Sequence, residues 1–212
     1  GIGAMIALSL LPVVLTVGVV PLVWWSLKRW QHGGFGLGNL RATFTAGPGS
    51  FYAVFLKTML LTLATAIVFG VLAAMASGIG ALVSTIAGSD SRRRVGGWVF
   101  VVLAVVFALG YLAVLWVSKP YFASRMQNLA WNRTNSTVVG FDSRLRFRPL
   151  LWLSIKNWLL IVVTLGLYWP FAAIATAKMK LEAIDVIAYH DLDALARGEG
   201  ELSKDAAGDA AG

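Results

Sequence analysis

No charged residue occurs between Lys57 and Asp90, a stretch of 32 residues. A soluble helix buries one apolar stripe and keeps a polar face, so it has no use for so long a charge-free run. As a helix rising ~1.5 Å per residue the stretch reaches ~48 Å, well beyond a hydrocarbon core of ~30 Å. A tilted or projecting membrane crossing is predicted. Residues 2–27 are uncharged over 26 positions, and residues 95–117 over 23. Residues 150–177 form a fourth apolar run with Lys156 near its start. The whole chain is 58% hydrophobic and 13% charged, against roughly 45–50% and about 25% for soluble proteins.

The ends of these runs carry interfacial residues. Trp24, Trp25 and Trp30 stand with Lys28 and Arg29 at the end of the first run, Trp98 and Trp116 bound the third, and Trp152, Trp158 and Trp169 bracket the fourth. Tryptophan beside Lys or Arg is the mark of a membrane–water boundary. The first run contains Pro12 and Pro21, which bilayer helices tolerate where neighbours satisfy the freed carbonyls. No basic segment precedes it, so it is read as a crossing and not as a signal peptide, in a chain trimmed or processed at its start.

The net charge of +8 divides unevenly. Up to residue 181 the acids are Asp90 and Asp142 alone, whereas residues 182–212 are predominantly acidic. Because the basic residues flank apolar runs, anionic lipid headgroups are their expected counter-charge, and nucleic acid is not. The absence of cysteine excludes disulfides and thiolate chemistry.

Between the runs, two connectors show an alternation of period two. Leu40, Ala42 and Phe44 interleave with Arg41, Thr43 and Thr45; Arg144, Arg146 and Arg148 interleave with Leu145 and Phe147. Both predict short strands, the second within a basic loop at 119–148. Shifting the chain by 99 places Pro21 on Pro120, Lys57 on Lys156, Leu61 on Leu160 and Thr65 on Thr164. The reading is a two-fold tandem repeat, as is common in membrane folds. A membrane domain is expected at 1–181, with repeat one at about 1–88 and repeat two at about 95–181. Residues 182–212 are expected to be an acidic, largely disordered C-terminal tail. The fold class is all-α and multi-pass, with about four transmembrane or re-entrant helical segments and short strand-like surface loops. The positive-inside rule puts the two connectors in the cytoplasm. Arg92, Arg93 and Arg94 then face outward, as does the tail unless the fourth segment re-enters and returns it.

One stretch carries a family resemblance. Asn128-Leu129, Trp131-Asn132, Thr134, Arg146-Phe147, Asn157 and the string Thr164-Leu165-Gly166-Leu167-Tyr168-Trp169-Pro170 resemble the YjgN family of bacterial inner-membrane proteins, a domain of unknown function. Arg29, Gly36, Phe44 and Phe51-Tyr52 resemble the family's preceding repeat, and Asp191-Leu192-Asp193-Ala194-Leu195 the start of its acidic tail. The resemblance covers about 24–196. It departs in lacking the family's first N-terminal repeat, and in having Phe171, Ala172 and Ala173 where the family carries Trp and Arg. It implies location and architecture, and supplies no reaction.

The residues supply none either. His32, beside Gly33 and Gly34, reads as a polar loop residue, and His190 with Asp191 and Asp193 as a solvated cluster. No set of His, Asp or Glu has metal-ligand spacing and no Gly-rich string has a nucleotide-loop ending; no enzyme activity, cofactor or metal is expected. The candidate lipid-headgroup ligands are Arg144, Arg146, Arg148, Lys57 and Lys156. Ala76, Gly80, Ser84 and Gly88 recur every four residues, a small-residue stripe that lets helices approach closely. The function read from these features is an uncharacterised inner-membrane protein that binds anionic lipid and packs with itself or with a membrane-protein partner. The alternative is a channel or carrier for an uncharged or amphipathic solute, with polarity from Ser9, Thr62, Thr65, Ser84 and Thr164.

Overall fold

The structure is a computed structural model and describes residues 2–34, 36–37, 40–86, 89–136 and 138–189. In chain order the elements are α1 (Ile2–Gly33), β1 (Gly36–Leu37), β2 (Leu40–Arg41), β3 (Thr43–Phe44), α2 (Pro48–Ile86), α3 (Ser89–Asn132), β4 (Thr134–Asn135), β5 (Val139–Ser143), α4 (Phe147–Val163), α5 (Trp169–Glu182) and β6 (Ile184–Ala188). Two compact units emerge, each drawing on both halves of the sequence. One comprises Gly1–Tyr52, Arg125–Leu145 and Ala177–Gly212, the other Ala53–Ser124 and Arg146–Thr176.

The first unit is built on an antiparallel sheet of order β3-β4-β5-β6. Phe44 pairs with Thr134, Asn135 with Gly140, and Ser143 with Ile184. The Ser136 N–H donates to the Val139 carbonyl at 2.8 Å and closes the β4–β5 connection. Two asparagines one turn apart in α3 act as a surrogate strand beside the end of β5. Asn128 Oδ1 accepts from Leu145 N and from Ser143 Oγ, both at 2.9 Å, while its Nδ2 donates to the Leu145 carbonyl at 3.1 Å. Asn132 engages the N–H and the carbonyl of Ser143 in the same manner. Elsewhere Trp25 Nε1 donates to the Ala46 carbonyl and the Tyr52 hydroxyl to the Gly18 carbonyl. These bonds tie the second half of α1 to the residues just before α2 and to its first turns, where Phe51 is fully buried.

Here the expectations need correction. The segment following Pro120 is helical, not a loop: α3 continues to Asn132. Pro120, Ser124, Met126 and Ala130 are buried, so packing offsets the ~3 kcal/mol that a mid-helix proline costs. The Arg144–Phe147 alternation does not make a strand. Asn128 captures Leu145, β5 stops at Ser143, and Phe147 and Arg148 open α4 with Pro149 in its first turn, where a missing N–H is harmless. The tail boundary also moves. Residues 184–188 form β6 against β5, satisfying backbone groups that a disordered tail would leave to water. Residues 190–212, with His190, Asp191 and Asp193, lie outside the described residues.

In the second unit α2 and α3 run antiparallel. A Cβ on Gly80 would fall 2.2 Å from Val99 Cγ2, a Cβ on Gly110 would fall 2.9 Å from Phe69 Cβ, and the hydroxyls of Thr62 and Ser118 lie 2.6 Å apart. Small residues thus set the spacing at two levels and a hydroxyl pair at a third. α4 packs on α3 through edge-to-face contacts of Trp116 with Trp158 (4.9 Å) and Tyr121 with Phe147 (5.7 Å). The fourth apolar run is not one helix. It breaks at Thr164–Tyr168, where Leu165 (φ 50°) and Gly166 (φ 95°) adopt left-handed backbone, and α5 folds back so that Asn157 Nδ2 reaches the Ala172 carbonyl and Thr176 Oγ1.

Pro48–Ile86, and Ser91–Asn132 within α3, are long and apolar enough to cross a membrane. A soluble core helix would have its most apolar window buried. Here only 6% of that window is buried in each.

Candidate functional site

Within the first unit, the last turn of α1 and the end of α3 border an open cavity of about 570 Å³ lined by Trp30, Gln31, His32, Gly34 and Trp131. His32 is the residue that organises it, and the sequence placed it in a polar loop. It lies instead in α1, 8% exposed. Its ring stands edge-on to Trp131 at 5.3 Å and tilted against Phe44 at 5.9 Å. No apolar periodicity pointed to it, because Trp131 and Thr134, two of its neighbours, lie about a hundred positions away.

The hydrogen bonds fix the tautomer. The Thr134 hydroxyl has one proton, and it lies 2.7 Å from the Ala130 carbonyl, which can only accept. The proton goes there, so His32 Nδ1–H donates to the Thr134 oxygen at 3.1 Å. Neutral His32 therefore carries its lone pair on Nε2. Burial, and secondarily the positive charge of Lys28, hold its pKa below the ordinary 6.5. The cavity thus combines two indole walls, a neutral acceptor and the Gln31 amide, with Lys28 Nζ bonded to Gln31 Oε1 at 3.0 Å and the Arg29 guanidinium over the Trp25 ring at 5.4 Å. Such a set offers hydrogen-bond donors and an acceptor beside apolar walls. Its described lining residues include no nucleophile or acid–base pair, and no group of three metal-ligating side chains occurs among the described residues.

The chain matches the family model described as a bacterial protein of unknown function (DUF898) over residues 1–212. It belongs to that family. The resemblance to the YjgN family is consistent with membership of DUF898. No curated protein and no solved structure matches the chain.

The ligands chosen from sequence are placed as follows. In this DUF898 chain Arg144, Arg146 and Arg148 are all exposed, but they are not equivalent. Arg144 is ion-paired with Asp142, whose hydrogen bond and charge raise its already high pKa. Arg146 is the N-cap residue of α4 and Arg148 lies in its first turn. Lys57 and Lys156 are exposed on α2 and α4. Of the small-residue stripe, Gly80 is occupied by Val99 of the same chain, Ala76 and Ser84 are half-buried, and the Ser84 carbonyl accepts from Arg92 Nε at 2.9 Å. Gly88 lies outside the described residues.

Proposed function

We propose that this chain is a multi-pass, non-catalytic protein of the bacterial inner membrane that holds anionic phospholipid where its helices leave the bilayer. The observation that carries the lipid part is the His32 cavity. Its walls are indoles, its polar atoms suit a headgroup hydroxyl or ester, and Lys28 and Arg29 sit one turn or less away on α1 to meet a phosphate. Anionic lipid gains ~1 kcal/mol per basic residue near the surface, and tryptophans settle at that depth. Arg146 and Arg148 at the start of α4, and Lys156 further along it, add basic residues to the same helix.

The repeat supports a membrane architecture. α1 and α3 end at Gly33 and Asn132, and α2 and α4 begin at Pro48 and Phe147, each pair separated by the same offset of 99 that aligned the sequence. Lys57 and Lys156 therefore occupy the same position in their helices. The carrier alternative has less to draw on. Thr65 and Thr164 donate to the carbonyls of Leu61 and Leu160, and Thr62 is bonded to Ser118. Those hydroxyls are engaged within the protein.

The test is thermal unfolding in neutral detergent with added phosphatidylglycerol or phosphatidylcholine. The expected outcome is a larger rise in Tm with phosphatidylglycerol, lost in the Lys28→Gln/Arg29→Gln double variant. Equal shifts with both lipids would refute the lipid reading, and sustained solute flux in proteoliposomes would favour the carrier.

A further inference from the structure

The segment from Phe147 to Glu182 has a geometry that a surface hairpin in water would not need. α4 has 17 residues and α5 has 14, or ~25 Å and ~21 Å at ~1.5 Å per residue. Each falls short of the ~20 residues that cross a ~30 Å core. No charge occurs between Lys156 and Lys178. The charge-free rise from Lys156 to Thr164, and again from Trp169 to Lys178, is ~12–14 Å, about half the hydrocarbon thickness. The two lysines thus mark nearly the same depth on opposite legs.

The tip is apolar and its backbone N–H groups are bonded internally. Leu165 is 95% exposed and Leu167 80%. The N–H groups of Thr164, Leu165, Gly166, Leu167 and Trp169 donate to the carbonyls of Leu160, Val162, Ile161, Thr164 and Gly166. Tyr168 N–H, the remaining one, donates to Thr164 Oγ1 at 3.0 Å. Every N–H from Thr164 to Trp169 therefore has an internal partner. Water would supply such partners freely, whereas hydrocarbon supplies none. The pair Leu165 N→Val162 O and Gly166 N→Ile161 O is a Schellman cap whose left-handed position normally takes glycine or asparagine. Here it takes leucine, which costs ~1–2 kcal/mol of backbone strain and leaves the side chain exposed. Acyl chains offset that cost and water does not.

Both legs leave from one place. The ends of the hairpin are joined where Ser143 pairs with Ile184 and Arg144 N–H donates to the Ala183 carbonyl at 2.8 Å. We propose that α4 and α5 form a re-entrant hairpin that enters one leaflet from the side carrying the sheet, with Leu165 and Leu167 among the acyl chain ends at the bilayer midplane. This inference rests on the membrane reading above. It places Lys178 and Lys180 on the same side as Lys28, Arg29 and Arg133, and leaves Arg92, Arg93 and Arg94 opposite, which sharpens the charge asymmetry that orients a membrane protein.

The chain has no cysteine, so single-cysteine variants are unambiguous reporters. Leu165→Cys, Leu167→Cys, Leu72→Cys in α2, Ser91→Cys at the start of α3 and Ala188→Cys in β6 are treated with a membrane-impermeant maleimide in spheroplasts and in inverted vesicles. Ser91→Cys is expected to label from one side only, Ala188→Cys from the other only, and Leu72→Cys from neither. Leu165→Cys and Leu167→Cys are expected to label at least about tenfold more slowly than Ala188→Cys from either side, because hydrocarbon excludes the reagent. Labelling of both tip variants from the Ser91 side overturns the inference in favour of a full crossing. Labelling as fast as Ala188→Cys from the Ala188 side overturns it in favour of a surface hairpin. Labelling of Leu72→Cys, or of Ser91→Cys and Ala188→Cys from one side, would overturn the membrane reading itself. The second tip variant guards against misfolding of the first.

Discussion

Asn128 supplies three of the bonds that hold the end of β5, and its removal should be felt as a defined loss. In Asn128→Ala the Leu145 N–H, the Leu145 carbonyl and the Ser143 hydroxyl all lose their partner, and Ser143 and Leu145 are both buried. A typical hydrogen bond contributes ~1 kcal/mol net, and a buried group left unmade costs ~1–3 kcal/mol. Water entering the space left by the amide would recover part of this, so the expected destabilisation is ~3 kcal/mol, within a range of ~2–5. Asn128→Asp keeps both acceptor bonds but cannot donate to the Leu145 carbonyl and faces it with a carboxylate oxygen. It should lose ~1–2 kcal/mol, between wild type and alanine. Unfolding by sodium dodecyl sulfate in mixed micelles gives the free energies. Hydrogen exchange gives the location, with protection lost first in β5 and β6. A double-mutant cycle with Ser143→Ala should return a coupling of ~1 kcal/mol. If Asn128→Ala costs under ~1 kcal/mol, or if alanine and aspartate are equal, the surrogate-strand account fails.

Three further outcomes are expected. Gly80→Val places branched carbons where Val99 already lies, so the α2–α3 contact should lose ~1–3 kcal/mol by overpacking, whereas Gly78→Ala, with nothing within 4 Å of its Cβ, should be neutral or slightly stabilising; equal effects on Tm would refute the contact. Because burial lowers the His32 pKa, the unfolded chain binds a proton more readily. Stability is then full above pH ~6.5 and falls as pH drops through the lowered folded value. Tm measured between pH 7.5 and 5 should show that decline in wild type and a weaker one in His32→Gln, and identical slopes would contradict it. Gly166→Ala forces a side chain onto a backbone at φ 95° with no crowding to add to the strain. A loss of ~1–3 kcal/mol is expected, read as lower Tm, and no loss would mean that the turn relaxes.

The sequence alone determined where apolar surface lies. Charge-free runs and their Trp, Lys and Arg borders are local properties, and α2 and the apolar part of α3 sit where those properties put them. The alternation at 40–45 likewise marks β2 and β3, because strand periodicity is local. What remained hidden depends on partners distant along the chain. Thr43 pairs with Asn135, 92 residues away, and β6 is a strand because β5 offers it an edge. Arg144 to Phe147 alternates well enough to be a strand, but the capture of Leu145 by Asn128 decided otherwise. His32 looked like a polar loop residue between glycines, and became the buried organiser of the cavity because Thr134, Trp131 and Phe44 close around it. The Thr164–Pro170 string identified the family by its residues. Only the folded chain, with leucine held left-handed and every tip N–H bonded internally, turned it from the end of a helix into the apex of a hairpin. Hydropathy reports how much a segment prefers to leave water; which groups satisfy its backbone once it has left is settled by tertiary structure.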